Sequence, residues 1–353
     1  MIGDVRKVRG ILDGHDPAQS MGDAVIADRT AVLAHILDTA GDTGRGGRRH
    51  GDGVRRRSRA LWLVPVGVAA VLVAIVVTQL GLPGGGAPSL AQAATPPPLT
   101  YQAEPGTARD ALLAVASRVR VTDTPARSAG YQYVRTQSWD LSTRIDGRQV
   151  RSAVVPEIRE VWRASEGSGR IRTTSGTPQF PSEQARQDWE KEGRPTADPA
   201  DETFPAGALD AMYPTNLPTS TAELAALLAT GHPASNGPAE TLVAIADLYR
   251  EQTPPAPVRA ALLDILATTP GLHLQGHTVD RAGRPALAVA VDSAMSGLPT
   301  RYALLINPTD GRLLGQEQTL TTTAGALDVS IPAVISYTSY LTAAHTDDTE
   351  PPR

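Results

Sequence analysis

The sequence predicts an α+β fold for its large C-terminal part, and three observations predict it. Between residues 107 and 341, stretches of helical period alternate with runs of period two in the order α, β, α, β. The strand-like runs are joined by short turns rich in Gly, Asp and Pro, which favours antiparallel pairing. Aromatic residues make up only 4 % of the chain, so the core must be built from Ala, Leu and Val. The expectation is an antiparallel sheet packed by helices. Cysteine is absent, which excludes disulfides, thiol catalysis, lipid attachment through cysteine and thiolate zinc sites. The domain must hold together by packing alone.

Ahead of this domain lies the least ambiguous stretch, Leu61 to Leu82, twenty-two residues without a charged side chain. A hydrocarbon core of about 30 Å needs about 20 apolar residues in a helix, and a single segment has no other way to pair its backbone there. Residues 61–82 are therefore expected to form a transmembrane helix. Arg45, Arg48, Arg49, Arg55, Arg56, Arg57 and Arg59 precede it, and the thirty residues that follow carry only Glu104, Arg109 and Asp110 as charges. The rule that basic flanks stay inside places the N-terminus in the cytoplasm and the C-terminal domain outside the cell membrane. Arg55, Arg56, Arg57, Arg59 and the interfacial Trp62 are the residues expected to fix this topology in the lipid bilayer. The run is too long, and begins too far into the chain, for a signal peptide.

The span makes a charge asymmetry visible. Residues 1–60 carry +3 and the remainder −7, within a total of −4. Neither value suggests nucleic-acid binding, and the arginine cluster is explained by topology and anionic lipid heads. Residues 1–40 read as two short amphipathic helices, with Val5, Val8, Ile11 and Leu12 in the first and Val25, Ile26, Val32, Leu33, Ile36 and Leu37 in the second. Two helices of this size cannot make a core of their own, so they need a partner or a membrane surface, or hold no structure at all. Gly41 to Gly53 reads as a flexible linker, and residues 83–106 form a second linker rich in Pro, Gly and Ala.

Within the domain, Thr107 to Val119 has Leu112, Val115, Ala116 and Val119 on one helical face. A meander follows: Tyr131 to Trp139, a turn at Asp146-Gly147, Val150 to Trp162, and Arg170 to Thr174, with charged outward residues and hence one wet face. Thr177 to Pro218 is Pro-punctuated and of low order, with one polar helix from Ser182 to Glu192. Helices are expected over Ser220–Ala229, with a Ser220/Glu223 capping box, and over Pro238–Glu251 and Pro257–Thr268, each with Pro in its first turn. Strands return at Leu272–Asp280, Ala286–Asp292, Thr300–Asn307 and Arg312–Thr323, with another in Ser330–Leu341. In the second of these the small residues Ala286, Ala288 and Ala290 share a face, which implies a close neighbour. Residues 342–353 are expected to be a disordered acidic tail.

Motifs that carry chemistry are missing. There is no nucleotide-binding glycine loop, no Gly-x-Ser-x-Gly elbow and no His-Glu-x-x-His. His273 and His277 would stand about 13 Å apart on a strand, too far for one metal ion. His232, before a proline, reads as a solvent-exposed loop residue, and the acidic groups at Asp198, Asp201 and Glu202 as solvated. No catalytic residue, metal or cofactor is expected, and the chain is not expected to be an enzyme. Tyr131, Tyr133, Trp139, Trp162 and Tyr302 are the candidate ligand-binding residues, since aromatics on a sheet under helices could line a cleft for a lipid or apolar peptide.

The block from Pro257 to Gln318 carries a family resemblance, in Ala260 to Leu266, Pro270-Gly271, Asp280 with Gly283-Arg284-Pro285, and Asn307-Pro308 with Thr309 to Leu314. It resembles the outer domain of an actinobacterial single-pass, membrane-anchored family, often described only as uncharacterised and associated with extracytoplasmic-function sigma factors. The resemblance implies a sigma-factor partner for the inner segment and an outer fold similar to the half-barrels of lipoprotein carriers and envelope-stress sensors. The chain departs from the best-known anti-sigma class in lacking its His/Cys zinc motif. The expected function is a membrane sensor or regulator, whose outer domain binds a lipid or envelope protein and whose inner helices contact a sigma factor. The alternative is a membrane-tethered lipid or lipoprotein carrier without signalling.

Overall fold

The computed structural model describes residues 95–121, 130–146, 149–180, 183–191, 199–325, 327 and 329–352. The expected inner helices, the Arg55, Arg56, Arg57 and Arg59 cluster, Trp62, the span at 61–82 and the first half of the linker at 83–106 lie outside the described residues. Among the described residues no helix is long and apolar enough to cross a membrane.

The domain is α+β. Among the described residues nine strands form one antiparallel sheet: β1 Tyr131–Asp146, β2 Gln149–Arg163, β3 Gly169–Ser175, β4 Ala200–Phe204, β5 His273–Val279, β6 Pro285–Ser293, β7 Thr300–Ile306, β8 Leu313–Leu320 and β9 Ala333–Thr346. Their order across the sheet is β4-β3-β2-β1-β9-β8-β7-β6-β5. Two meanders, β1 to β4 and β5 to β9, are therefore joined by the pairing of the first strand with the last. The helices are α1 Ala108–Val121, α2 Glu183–Lys191, α3 Thr221–Leu228, α4 Ala239–Glu251 and α5 Ala256–Ala267.

Local chemistry explains most boundaries. Thr107 caps α1: its Oγ1 accepts from the Asp110 N–H at 3.1 Å and donates to the Asp110 carboxylate at 2.8 Å. Consecutive prolines, Pro254 and Pro255, separate α4 from α5 by denying the chain two backbone donors. The apolar faces of α1, α3, α4 and α5 meet Leu287, Val289 and Val291 of β6, Tyr302, Leu304 and Ile306 of β7, and Tyr340 of β9 in the main core. The Tyr340 hydroxyl donates to the Ala246 carbonyl of α4 at 2.7 Å, so its ring is buried with its polar tip satisfied.

The opposite face of β6 carries Ala286, Ala288 and Ala290, all fully buried. The close neighbour is the N-terminal segment, whose Leu99 and Tyr101 pack on that side. Gln102 bridges to His277 by two backbone hydrogen bonds, of 2.7 and 2.9 Å. The bulge at Gly276, with φ +106°, brings the two backbones together, and a Cβ there would run into the Gln102 carbonyl.

Several expectations are corrected. The low-order region contains β4, which the pairing of Arg170 with Asp201 holds against β3 at 2.7 Å. No pattern marked it, because ADETF is exposed along nearly its whole length. Ser220 precedes α3, but its side chain makes no capping bond. The meander has no simple wet face: Glu160 and Trp162, one turn of the pleat apart, are 6 % and 0 % exposed. Nor is the end of the chain disordered from residue 342. Strand β9 runs to Thr346, and beyond it the Glu350 carbonyl accepts from the Trp162 indole at 3.0 Å.

Candidate functional site

A cleft of about 570 Å³ opens where the α4–α5 connection meets the ends of β1, β2 and β9. Its floor is a cross-strand row. Gln132 of β1 pairs with Arg163 of β2 on one side and with His345 of β9 on the other, and all three side chains line the cleft. The Gln132 side-chain oxygen accepts from the Thr253 N–H at 2.9 Å and from its hydroxyl at 3.1 Å, fixing the helix connection to the sheet. Next to it Gln252, 1 % exposed, donates to the carbonyls of Tyr213 and Pro214, both at 3.0 Å. That clamp holds the segment whose Thr215, Asn216 and Leu217 form one wall.

Arg163 is 3 % exposed. Its Nη2 donates to the Asp210 carbonyl at 2.9 Å and its Nη1 to that of Leu209 at 3.4 Å, while Nε has no hydrogen-bond partner among the described residues. Burial lowers its pKa, and the neighbouring Glu251 opposes that. Glu251 is itself raised by burial, against the pull of Arg163, and its carboxylate accepts from the Met212 N–H at 3.2 Å. Further along β2, Arg159 is pushed down to about 10 by burial and by the nearby Arg250.

On the opposite wall Arg259 of α5 donates through Nε to the Asp310 carbonyl at 2.9 Å and through Nη1 to that of Pro254 at 3.0 Å. Burial lowers its pKa, and so does Arg312, which stands at the mouth of the cleft in the β7–β8 turn. Arg312 is exposed and lies 3.5 Å from the Asp310 carboxylate. The cleft thus gathers Arg163, Arg259 and Arg312 with no carboxylate among its lining residues.

The five expected aromatic residues do not share this cleft. Tyr133 and Trp162 pack against each other, with ring centroids 4.9 Å apart, on the face away from the helices. There the Tyr133 hydroxyl donates to Glu160 at 2.6 Å, and Arg170 and Arg172 lie over the indole. Tyr131 precedes Tyr133 on β1, half-buried. Trp139 is stacked on Tyr337 at 5.9 Å in a separate cluster. Tyr302 alone belongs to the helix-covered core, with its hydroxyl 2.9 Å from Ser296 Oγ. All but Tyr131 are 5 % exposed or less, so these rings are core.

His232 is also corrected, from exposed to 8 % exposed: Nδ1 lies 2.9 Å from Glu240 and Nε2 3.5 Å from Asp247. Burial raises the Asp247 pKa, while Arg250 and His232 oppose it. His273 and His277 make separate contacts, His277 pairing with Glu104 at 2.9 Å. Among the described residues no group of three His, Asp or Glu side chains is placed to hold a metal ion. The cleft residues escaped sequence reading because positions 132, 163, 259, 312 and 345 are scattered, and none sits in a recognisable motif. Compared with known proteins, the chain matches no family model, no curated protein and no solved structure.

Proposed function

We propose that this protein is a single-pass membrane sensor or regulator. Residues 61–82 form its span, the half-barrel-like α+β domain faces the envelope, and the segment 1–60 contacts a cytoplasmic partner of the sigma-factor kind. The observation that carries the reading is the cleft: its lining comes from strand ends, from the 215–217 segment, from the α4–α5 connection and from the β7–β8 turn. An occupant there would touch strands of both meanders together with the helix layer, and binding would bias their relative positions. The uncharged stretch and its arginine flank supply the topology. The inner helices, too small to fold alone, supply the need for a partner.

Co-purification of a residue 1–60 fragment against the host's sigma factors tests this function. Capture of one of them is the expected result. A fragment that captures none, and stays unfolded in their presence, contradicts the regulatory reading.

A further inference from the structure

The lining of the cleft has a charge of one sign. Arg163 and Arg259 are held by backbone carbonyls, and neither forms an ion pair with a carboxylate among the described residues. Arg312 shares Asp310 at 3.5 Å, outside hydrogen-bond range. A buried guanidinium is normally paired, and a buried donor left without an acceptor is costly. Arg163 Nε is such a donor, on a side chain that lines the cleft.

The first turn of α5 adds to the same field. Pro255 and Ala256 line the cleft, and Pro255 offers no side-chain cap to the helix that starts there. The start of a helix presents partial positive charge, and here it is the dipole that contributes, since Pro255 and Pro257 carry no N–H. Guanidinium forks match oxyanions in shape, and the carboxylates nearby, Glu251 and Asp210 toward Arg163 and Asp310 toward Arg259 and Arg312, offset part of this charge from outside the lining.

Building on the sensor reading, we infer that the cleft binds an oxyanion of the phosphate-ester type, between Arg163, Arg259 and Arg312 at the start of α5. A volume of about 570 Å³ is that of a site for a whole small organic ligand, so the phosphate is the head of a larger molecule. Gln132, Thr215 and Asn216 supply neutral polar groups for the remainder.

The test is calorimetric titration of the full-length chain, in a neutral detergent at constant ionic strength, with inorganic phosphate, glucose 6-phosphate and dihexanoyl phosphatidic acid. At least one ester should bind tenfold more tightly than inorganic phosphate. Whichever ester binds more tightly assigns the source, a soluble phosphate ester or a lipid head. Arg312→Glu, at an exposed position, should weaken that binding at least tenfold with no change in melting temperature. Arg163→Lys should weaken it too, and because Arg163 is buried, Arg312→Glu remains decisive if that variant fails to fold. Undetectable binding of both esters, or binding that Arg312→Glu leaves unchanged, overturns the assignment. If that happens while residues 1–60 still capture a sigma factor, only the ligand class is wrong; if capture fails while the ester binds, only the regulatory reading is.

Discussion

Asp280 is where the loss of one carboxylate should cost the domain most. It is 4 % exposed, and its Oδ1 accepts from the N–H groups of Ala282 and Arg284 at 3.0 and 2.8 Å. Its Oδ2 accepts from Arg284 Nε at 2.8 Å and Nη2 at 2.6 Å. Arg284 in turn donates to the carbonyls of Tyr340 at 2.7 Å and Leu314 at 2.8 Å. One side chain therefore shapes the β5–β6 turn and aims a guanidinium at the backbones of β8 and β9. Removing one partner of a buried ion pair costs about 3–5 kcal/mol. The Arg284 side chain is 29 % exposed and regains some hydration, which puts Asp280→Ala at the lower end, about 3 kcal/mol. With a urea m-value of about 3 kcal/mol/M, the unfolding midpoint should fall by about 1 M. Asp292→Ala is the control, since Asp292 and its partner Arg301 are 53 % and 37 % exposed and such surface pairs contribute about 1 kcal/mol or less. Equal midpoints for the two variants would refute the argument.

Two further outcomes follow from buried groups. Truncation after Thr346 removes the Glu350 carbonyl from the Trp162 indole and the Thr349 and Glu350 acceptors from Arg170. Acrylamide should then quench one more tryptophan than in the intact chain, and unchanged quenching would mean that the tail does not cover it. Because burial raises the Asp247 pKa, its contribution to stability is full below the unfolded value of about 3.9 and is lost as pH rises through the folded one. The stability of the wild type minus that of Asp247→Asn, from urea midpoints between pH 4 and pH 8, should therefore decrease as pH rises. A difference that is constant or increasing with pH would reverse the sign assigned to this group.

The sequence told strands from helices wherever one side of an element is apolar. The alternation of Ala286, Ala288 and Ala290 with Leu287, Val289 and Val291 announced one face packed against a close neighbour, and Leu99 and Tyr101 are that neighbour; that the other face is packed too, by the helices, came from the fold. It could not announce β4, whose exposed residues carry no pattern, nor the pairing of β1 with β9, which joins residues 200 positions apart. Aromatic residues misled because a ring in a core and a ring in a cleft look alike in one dimension. His232 misled for a related reason: the carboxylates that bury it come from α4, at Glu240 and Asp247. The motif residues of the resemblance turn out to shape turns. Asp280 and Arg284 do so at β5–β6, and the Asn307 side chain accepts from the Thr309 N–H at 2.8 Å at β7–β8. The arginine cleft needed the fold, since only the register of β1 with β2 and β9 brings Gln132, Arg163 and His345 into one row.

The proposed function requires one membrane crossing between a partner-binding inner segment and a ligand-binding outer domain. The absence of cysteine allows a direct measurement of it. Single cysteines are introduced by Ser20→Cys, in the inner segment, and Ala103→Cys, at an exposed position beside the outer domain, and intact cells are treated with a membrane-impermeant maleimide. Ala103→Cys should be labelled in intact cells and Ser20→Cys only after lysis. Labelling of Ser20→Cys in intact cells, or protection of both positions until lysis, would contradict this topology.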